Sequence, residues 1–90
     1  ISAQLTKENS RTYVVDARLL IQDLEEKIGA ILTDEEREED IDTVGGLVMY
    51  ISGRVPGQKE IIKHSSGALF EILDASPRRV TKVRIKLPPR

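Results

Sequence analysis

Two adjacent glycines inside a helical pattern constrain this chain more than any other feature. In Asp42-Thr43-Val44-Gly45-Gly46-Leu47-Val48-Met49-Tyr50-Ile51-Ser52-Gly53-Arg54-Val55-Pro56-Gly57, the apolar residues Val44, Leu47, Val48 and Ile51 share one helical face. Thr43 supplies a hydroxyl that can accept a hydrogen bond from an early helical N–H, and Asp42 places negative charge near the positive end of the dipole. Gly53 suits the left-handed position past the last turn, and Pro56 prevents the helix from resuming. An interior glycine costs roughly 1 kcal/mol relative to alanine. The simplest offset is close approach of another backbone, so the stretch is expected to be a packing element. On this reading Gly46→Val should overpack the contact and destabilise the domain.

The flanking chain alternates between two periods. Ile1 to Arg11 has none, and is expected to be a linker or flexible arm, with the folded domain spanning residues 12–90. Thr12 to Asp16 reads as a short strand. From Ala17, Leu20, Leu24, Ile28 and Ile31 recur at helical spacing, with Asp16 or a neighbour as cap and Gly29 as stop. Thr33 to Asp40 is a run of charges, expected to be a solvated loop. Beyond the glycine helix the chain turns to strands: Lys59 to His64, Ala68 to Ala75, and Val80 to Leu87. In the last, Thr81, Val83, Ile85 and Leu87 face one way and Lys82, Arg84 and Lys86 the other, so a one-residue slip would drive three cations into the core. The order predicts an α+β fold, an antiparallel sheet with two helices on one face.

Composition narrows the chemistry. With 90 residues, no Cys, no Trp and one Phe, the chain makes one domain with an aliphatic core and neither disulfides nor zinc sites of the Cys type. No apolar run approaches the roughly 18–20 residues needed to span a bilayer, and no signal peptide is legible. The chain begins at Ile1 rather than Met and is expected to be a piece of a longer protein. The net charge of −1 conceals a balance of −7 over residues 1–53 and +6 over residues 54–90. Such a dipolar chain suits oriented docking on a charged partner, or two halves that neutralise each other in the fold.

No catalytic constellation emerges. His64 is the only histidine and sits beside a turn, where a solvated imidazole is the default. The acidic run 34–42 lacks the glycine and ladder spacing of a calcium loop, so a solvated segment is favoured over a cation site. Gly45-Gly46 and the Gly53, Gly57 pair match neither phosphate-loop spacing nor a dinucleotide fingerprint. Arg78, Arg79, Lys82, Arg84 and Lys86 form a basic strip without the aromatic residues that stack bases. It is expected to be a solvated sheet face or a docking face for an acidic partner, not a nucleic-acid surface. These residues are the interaction candidates; no catalytic or metal-ligating residue is assigned.

Taken in order, Tyr13-Val14-Val15-Asp16-Ala17-Arg18, Leu24 with Gly29, Asp42-Thr43-Val44-Gly45-Gly46-Leu47-Val48, Gly53-Arg54-Val55-Pro56, Phe70-Glu71-Ile72-Leu73 and Arg79-Val80-Thr81-Lys82-Val83-Arg84-Ile85 resemble the CorC/HlyC transporter-associated domain. The resemblance covers about Arg11 to Leu87. It implies a non-catalytic regulatory or interaction domain on the cytoplasmic side of the bacterial inner membrane. Its parent would be a divalent-cation efflux protein for magnesium and cobalt, with a pair of CBS domains and a transmembrane domain as partners. Relatives include proteins named as haemolysins, and a homodimer is among the arrangements it allows. It also implies a fold like the second subdomain of the FAD-binding fold of vanillyl-alcohol-oxidase (PCMH) type. No cofactor is expected, and FAD or an adenine nucleotide is an alternative by fold analogy alone.

Overall fold

Side-chain alternation decides the sheet. The computed structural model describes residues 5–88, in which five strands run antiparallel: β1 Leu5–Asn9, β2 Thr12–Asp16, β3 Ile61–Lys63, β4 Leu69–Ala75 and β5 Val80–Lys86. Their order across the sheet is β1-β2-β5-β4-β3, so the last strand in sequence lies at the centre. Tyr13 and Val15, opposite Ile85 and Val83, and Phe70 and Ile72, opposite the same two residues, place their side chains on one face. That face is covered by α1 Ile21–Ile28 and α3 Val44–Ser52, whose Leu24, Val44, Leu47 and Val48 complete a single aliphatic core around Phe70. A short α2, Asp34–Glu38, lies between them in sequence. The α+β architecture with helices on one face of an antiparallel sheet is the expected one.

The first turn of α3 explains its glycines. Val44 N–H donates to the Leu19 carbonyl at 2.9 Å and Gly45 N–H to the Ala17 carbonyl at 2.8 Å. Gly46 N–H donates to the Thr43 hydroxyl at 3.1 Å, as a capping threonine requires. A Cβ on Gly45 would lie 3.1 Å from both the Cβ and the carbonyl oxygen of Ala17, whereas one on Gly46 would meet the Thr43 hydroxyl at 3.3 Å. Close backbone approach is thus the purpose of Gly45, and the expectation placed on Gly46 moves one residue back. Gly53 ends the helix in the left-handed conformation, φ 75°, with its N–H on the Met49 carbonyl.

Five further expectations are corrected. Leu5–Asn9, placed in a linker by its lack of period, is an edge strand paired along β2; residues 1–4 lie outside the described residues. The strand has one apolar residue, Leu5, and no alternation, so its partner rather than its own sequence holds it. It carries a bulge and sets Lys7 opposite Tyr13 on the core-facing side, devices that discourage further strand addition at an edge. Helix α1 begins at Ile21, not Ala17, and Leu20 offers it no side-chain cap. Asp16 instead organises the preceding turn, its carboxylate accepting the Arg18 N–H at 2.8 Å. The acidic run is not a loop but α2, closed by a reciprocal capping box between Thr33 and Glu36. His64 is buried, not solvated. In β5, strict alternation would put Val80 outside with Lys82, but irregular pairing around Asp74 turns Val80 into the core.

Candidate functional site

The basic strip meets acids on both sides. On the uncovered sheet face, Arg84 donates to Glu8 of β1 at 2.9 Å and to Glu71 of β4 at 3.1 Å. These contacts push the Arg84 guanidinium further up from its ordinary value, the Glu8 hydrogen bonds contributing most. Lys86 lies 3.7 Å from the same Glu71, and Lys82 is set opposite Asp16 on β2 and Asp74 on β4. The positive strand is therefore the neutralised centre of a mixed-charge ladder. Arg78 and Arg79, in the turn between β4 and β5, form no ion pair among the described residues. The structure thus separates the five candidates into three held within the sheet face and two in an exposed turn.

A buried polar cluster lies on the covered side. His64 Nε2 is 2.8 Å from Glu36 Oε1, and that oxygen also accepts the Thr33 N–H at 2.9 Å. Ser66 N–H donates to His64 Nδ1 at 3.1 Å, which assigns the imidazole proton to Nε2, facing the carboxylate. The ring stands edge-on to Phe70 with centroids 5.9 Å apart. Burial by itself would push the Glu36 carboxyl up; hydrogen bonds from Thr33 and His64 outweigh it and hold the group below the usual carboxylate value. Ser66 Oγ is 2.7 Å from Nδ1, so serine, histidine and carboxylate stand in line. With the proton on Nε2, Nδ1 accepts from both the Ser66 hydroxyl and the Ser66 N–H, and so closes the turn that carries His64. The effect of the line is to bolt α2 to the turn between β3 and β4.

Glu25 performs the same task at the other end of α2. Its Oε2 accepts the Ile31 N–H at 2.8 Å and the Leu32 N–H at 3.2 Å, while Arg37 reaches both oxygens with a guanidinium fork. Burial opposes ionisation here too, and the Ile31, Arg37 and Leu32 bonds together keep the carboxyl below its ordinary value. Between α1, α2 and the residues preceding α3 lies an open cleft of about 670 Å³ whose lining includes Leu20, Leu32 and Ile41 together with Glu26, Glu39 and Asp42. Sequence reasoning missed both the cleft and the buried pair, because Glu36 and His64 are 28 positions apart. The capping pattern Thr33-x-x-Glu36 was the legible signal that the acidic run begins a helix. Among the described residues, no group of three or more His, Cys, Asp or Glu side chains is placed to hold a metal ion. No helix among them is long and apolar enough to cross a membrane.

Comparison with known proteins matches this arrangement to one family. The family model described as a transporter-associated domain, CorC_HlyC, matches residues 6–89. The chain is 39% identical over 79 residues to a Rickettsia bellii protein named a possible hemolysin C, covering 88% of the chain and 26% of that protein. It is 38% identical over 77 residues to the magnesium and cobalt efflux protein CorC of Escherichia coli K12, covering 86% of the chain and 25% of that protein. The chain thus spans about a quarter of the length of these relatives. Among solved structures, a hemolysin domain from Enterococcus faecalis superposes with TM-score 0.76 at 21% identity, covering 94% of this chain and 98% of that one. A transporter-associated domain from Nitrosomonas europaea superposes with TM-score 0.73 at 23% identity, covering 98% of each. At such identities these two structures establish the shared fold.

Proposed function

The chain belongs to the CorC_HlyC family of transporter-associated domains, and on that premise we propose that it is the regulatory and interaction domain of a longer bacterial protein exporting divalent cations. The domain is non-catalytic, and it acts by contact. Its site would be the cytoplasmic side of the inner membrane, beside a pair of CBS domains and a transmembrane domain of the same polypeptide. The observation that carries this reading is the similarity to the magnesium and cobalt efflux protein of E. coli across most of the chain. The buried polar groups support it, since Glu25, Glu36 and His64 are each engaged in holding α2 in place.

The experiment compares magnesium efflux by the full-length parent protein and by the same protein lacking this domain, in vesicles of identical composition. A changed rate, or a changed dependence on internal magnesium, is expected. Identical efflux curves across the concentration range would refute a regulatory role. The flavin or adenine-nucleotide alternative keeps only the fold analogy behind it, and a titration of the domain with FAD to about 1 mM tests it.

A further inference from the structure

We propose that the cleft between α1, α2 and the start of α3 is a docking groove for a basic peptide segment of a partner protein. The segment would carry one bulky aliphatic or aromatic side chain flanked by lysines or arginines. This deepens the interaction role proposed above and rests on it.

The groove has an apolar floor and an acidic rim. Leu32 and Ile41 are half-buried in its lining, and Leu20 is 48% exposed. The Leu20 backbone bridges to Thr43, and Ile21 N–H donates to the Asp42 carbonyl at 2.8 Å, so that wall is rigid. Glu25, through its bonds to Ile31, Leu32 and Arg37, holds the facing wall. The groove is therefore formed before any partner arrives, and little ordering cost attends its occupation.

Charge identifies the occupant. Glu25, Glu36 and Arg37 line the same cleft, but each is satisfied within the domain. Glu26, Glu39 and Asp42 make no ion pair among the described residues, and all three are exposed. Exposed helix positions Asp34, Glu35 and Glu38 extend the negative field beside the groove. An acidic or neutral apolar peptide would meet repulsion or forgo the rim, whereas a lysine- or arginine-flanked anchor satisfies rim and floor together. A second copy of this chain offers a poorer match. Its exposed Ile61 lies between Lys59 and Lys63 but follows Glu60 at the entrance to an edge strand, and its turn arginines, Arg78 and Arg79, precede Val80, which is committed to the core.

The test uses the 90-residue chain, labelled with nitrogen-15, and the peptide acetyl-Lys-Lys-Leu-Phe-Lys-Lys-amide as probe. Saturable amide shifts centred on Leu20, Leu32 and Ile41 are expected, with affinity falling about tenfold in Leu20→Ala and in the double variant Glu26→Gln/Glu39→Gln. A peptide with serines replacing the Leu-Phe anchor, and one with glutamates replacing the lysines, should each bind about tenfold more weakly or not at all. Shifts confined to Asp34, Glu35 and Glu38, or affinity indifferent to Leu20→Ala, would reduce the effect to diffuse charge and overturn the groove. Concentration-dependent shifts at the groove without peptide would assign it to a second copy and also overturn the proposal. Both variants change exposed side chains, and unchanged amide dispersion confirms their fold. Failure here with altered efflux on domain removal would refute the groove alone; peptide binding with unaltered efflux would refute the transporter reading alone.

Discussion

Replacing Gly45 with alanine sets two effects of opposite sign against each other. In an open helix the substitution stabilises by about 1 kcal/mol through propensity. Here the new methyl would stand 3.1 Å from both the Cβ and the carbonyl oxygen of Ala17. Relief requires Ala17 to retreat by a few tenths of an ångström, but Ala17 is fastened on both sides. Its N–H donates to the Thr81 carbonyl at 3.0 Å and its carbonyl accepts the Gly45 N–H at 2.8 Å, and the residue is almost wholly buried. Overpacking of this kind costs about 1–3 kcal/mol, which leaves a net loss of about 1 kcal/mol after the helix gain. For a domain of this size that lowers the Tm by about 4–8 °C. Gly46→Ala is the internal control. Its methyl meets only the Thr43 hydroxyl at 3.3 Å and Ile41 at 3.8 Å, so it should be neutral or stabilise by up to about 1 kcal/mol. Thermal and urea denaturation followed by circular dichroism measure both. A Gly45→Ala variant as stable as Gly46→Ala would refute the close-approach account.

Three further outcomes follow from the same structure. Glu36→Leu strands the buried His64 Nε2–H without an acceptor and should cost about 1–3 kcal/mol in urea denaturation; His64→Phe, which removes the donor, leaves Glu36 its Thr33 N–H. Glu25 and Glu36 titrate below their ordinary value of 4.5 in the folded protein, so the stability they contribute is complete above that pH and is lost as pH falls through their lower folded values. A urea midpoint that did not decline over this range, or declined equally in a Glu25→Gln/Glu36→Gln variant, would contradict that linkage. Thr81 Oγ1 is buried without a hydrogen-bond partner among the described residues, so Thr81→Val should raise stability by about 1 kcal/mol; a loss would mean that the hydroxyl is satisfied in solution.

The sequence by itself determined the elements whose reasons are local. Thr43, Gly53 and Pro56 bracket α3 because a cap, a left-handed exit and a missing donor act within a few residues. The alternation of β5 set its cations outside and its aliphatic residues inside, and the motifs from Tyr13 to Ile85 sufficed to identify the family. Tertiary structure alone decided whatever depends on partners distant in sequence. Leu5–Asn9 becomes a strand only because β2 offers it hydrogen bonds, and Val80 turns inward because pairing around Asp74 is irregular. The basic strip was legible as three spaced cations, but Glu8 lies 76 positions from the arginine it neutralises. His64 has polar neighbours on its own turn, yet its burial depends on Glu36 arriving from α2. The glycines announced a close approach without naming its partner. Ala17 is that partner, and only the docking of α3 against residues 17–21 could select Gly45 over Gly46.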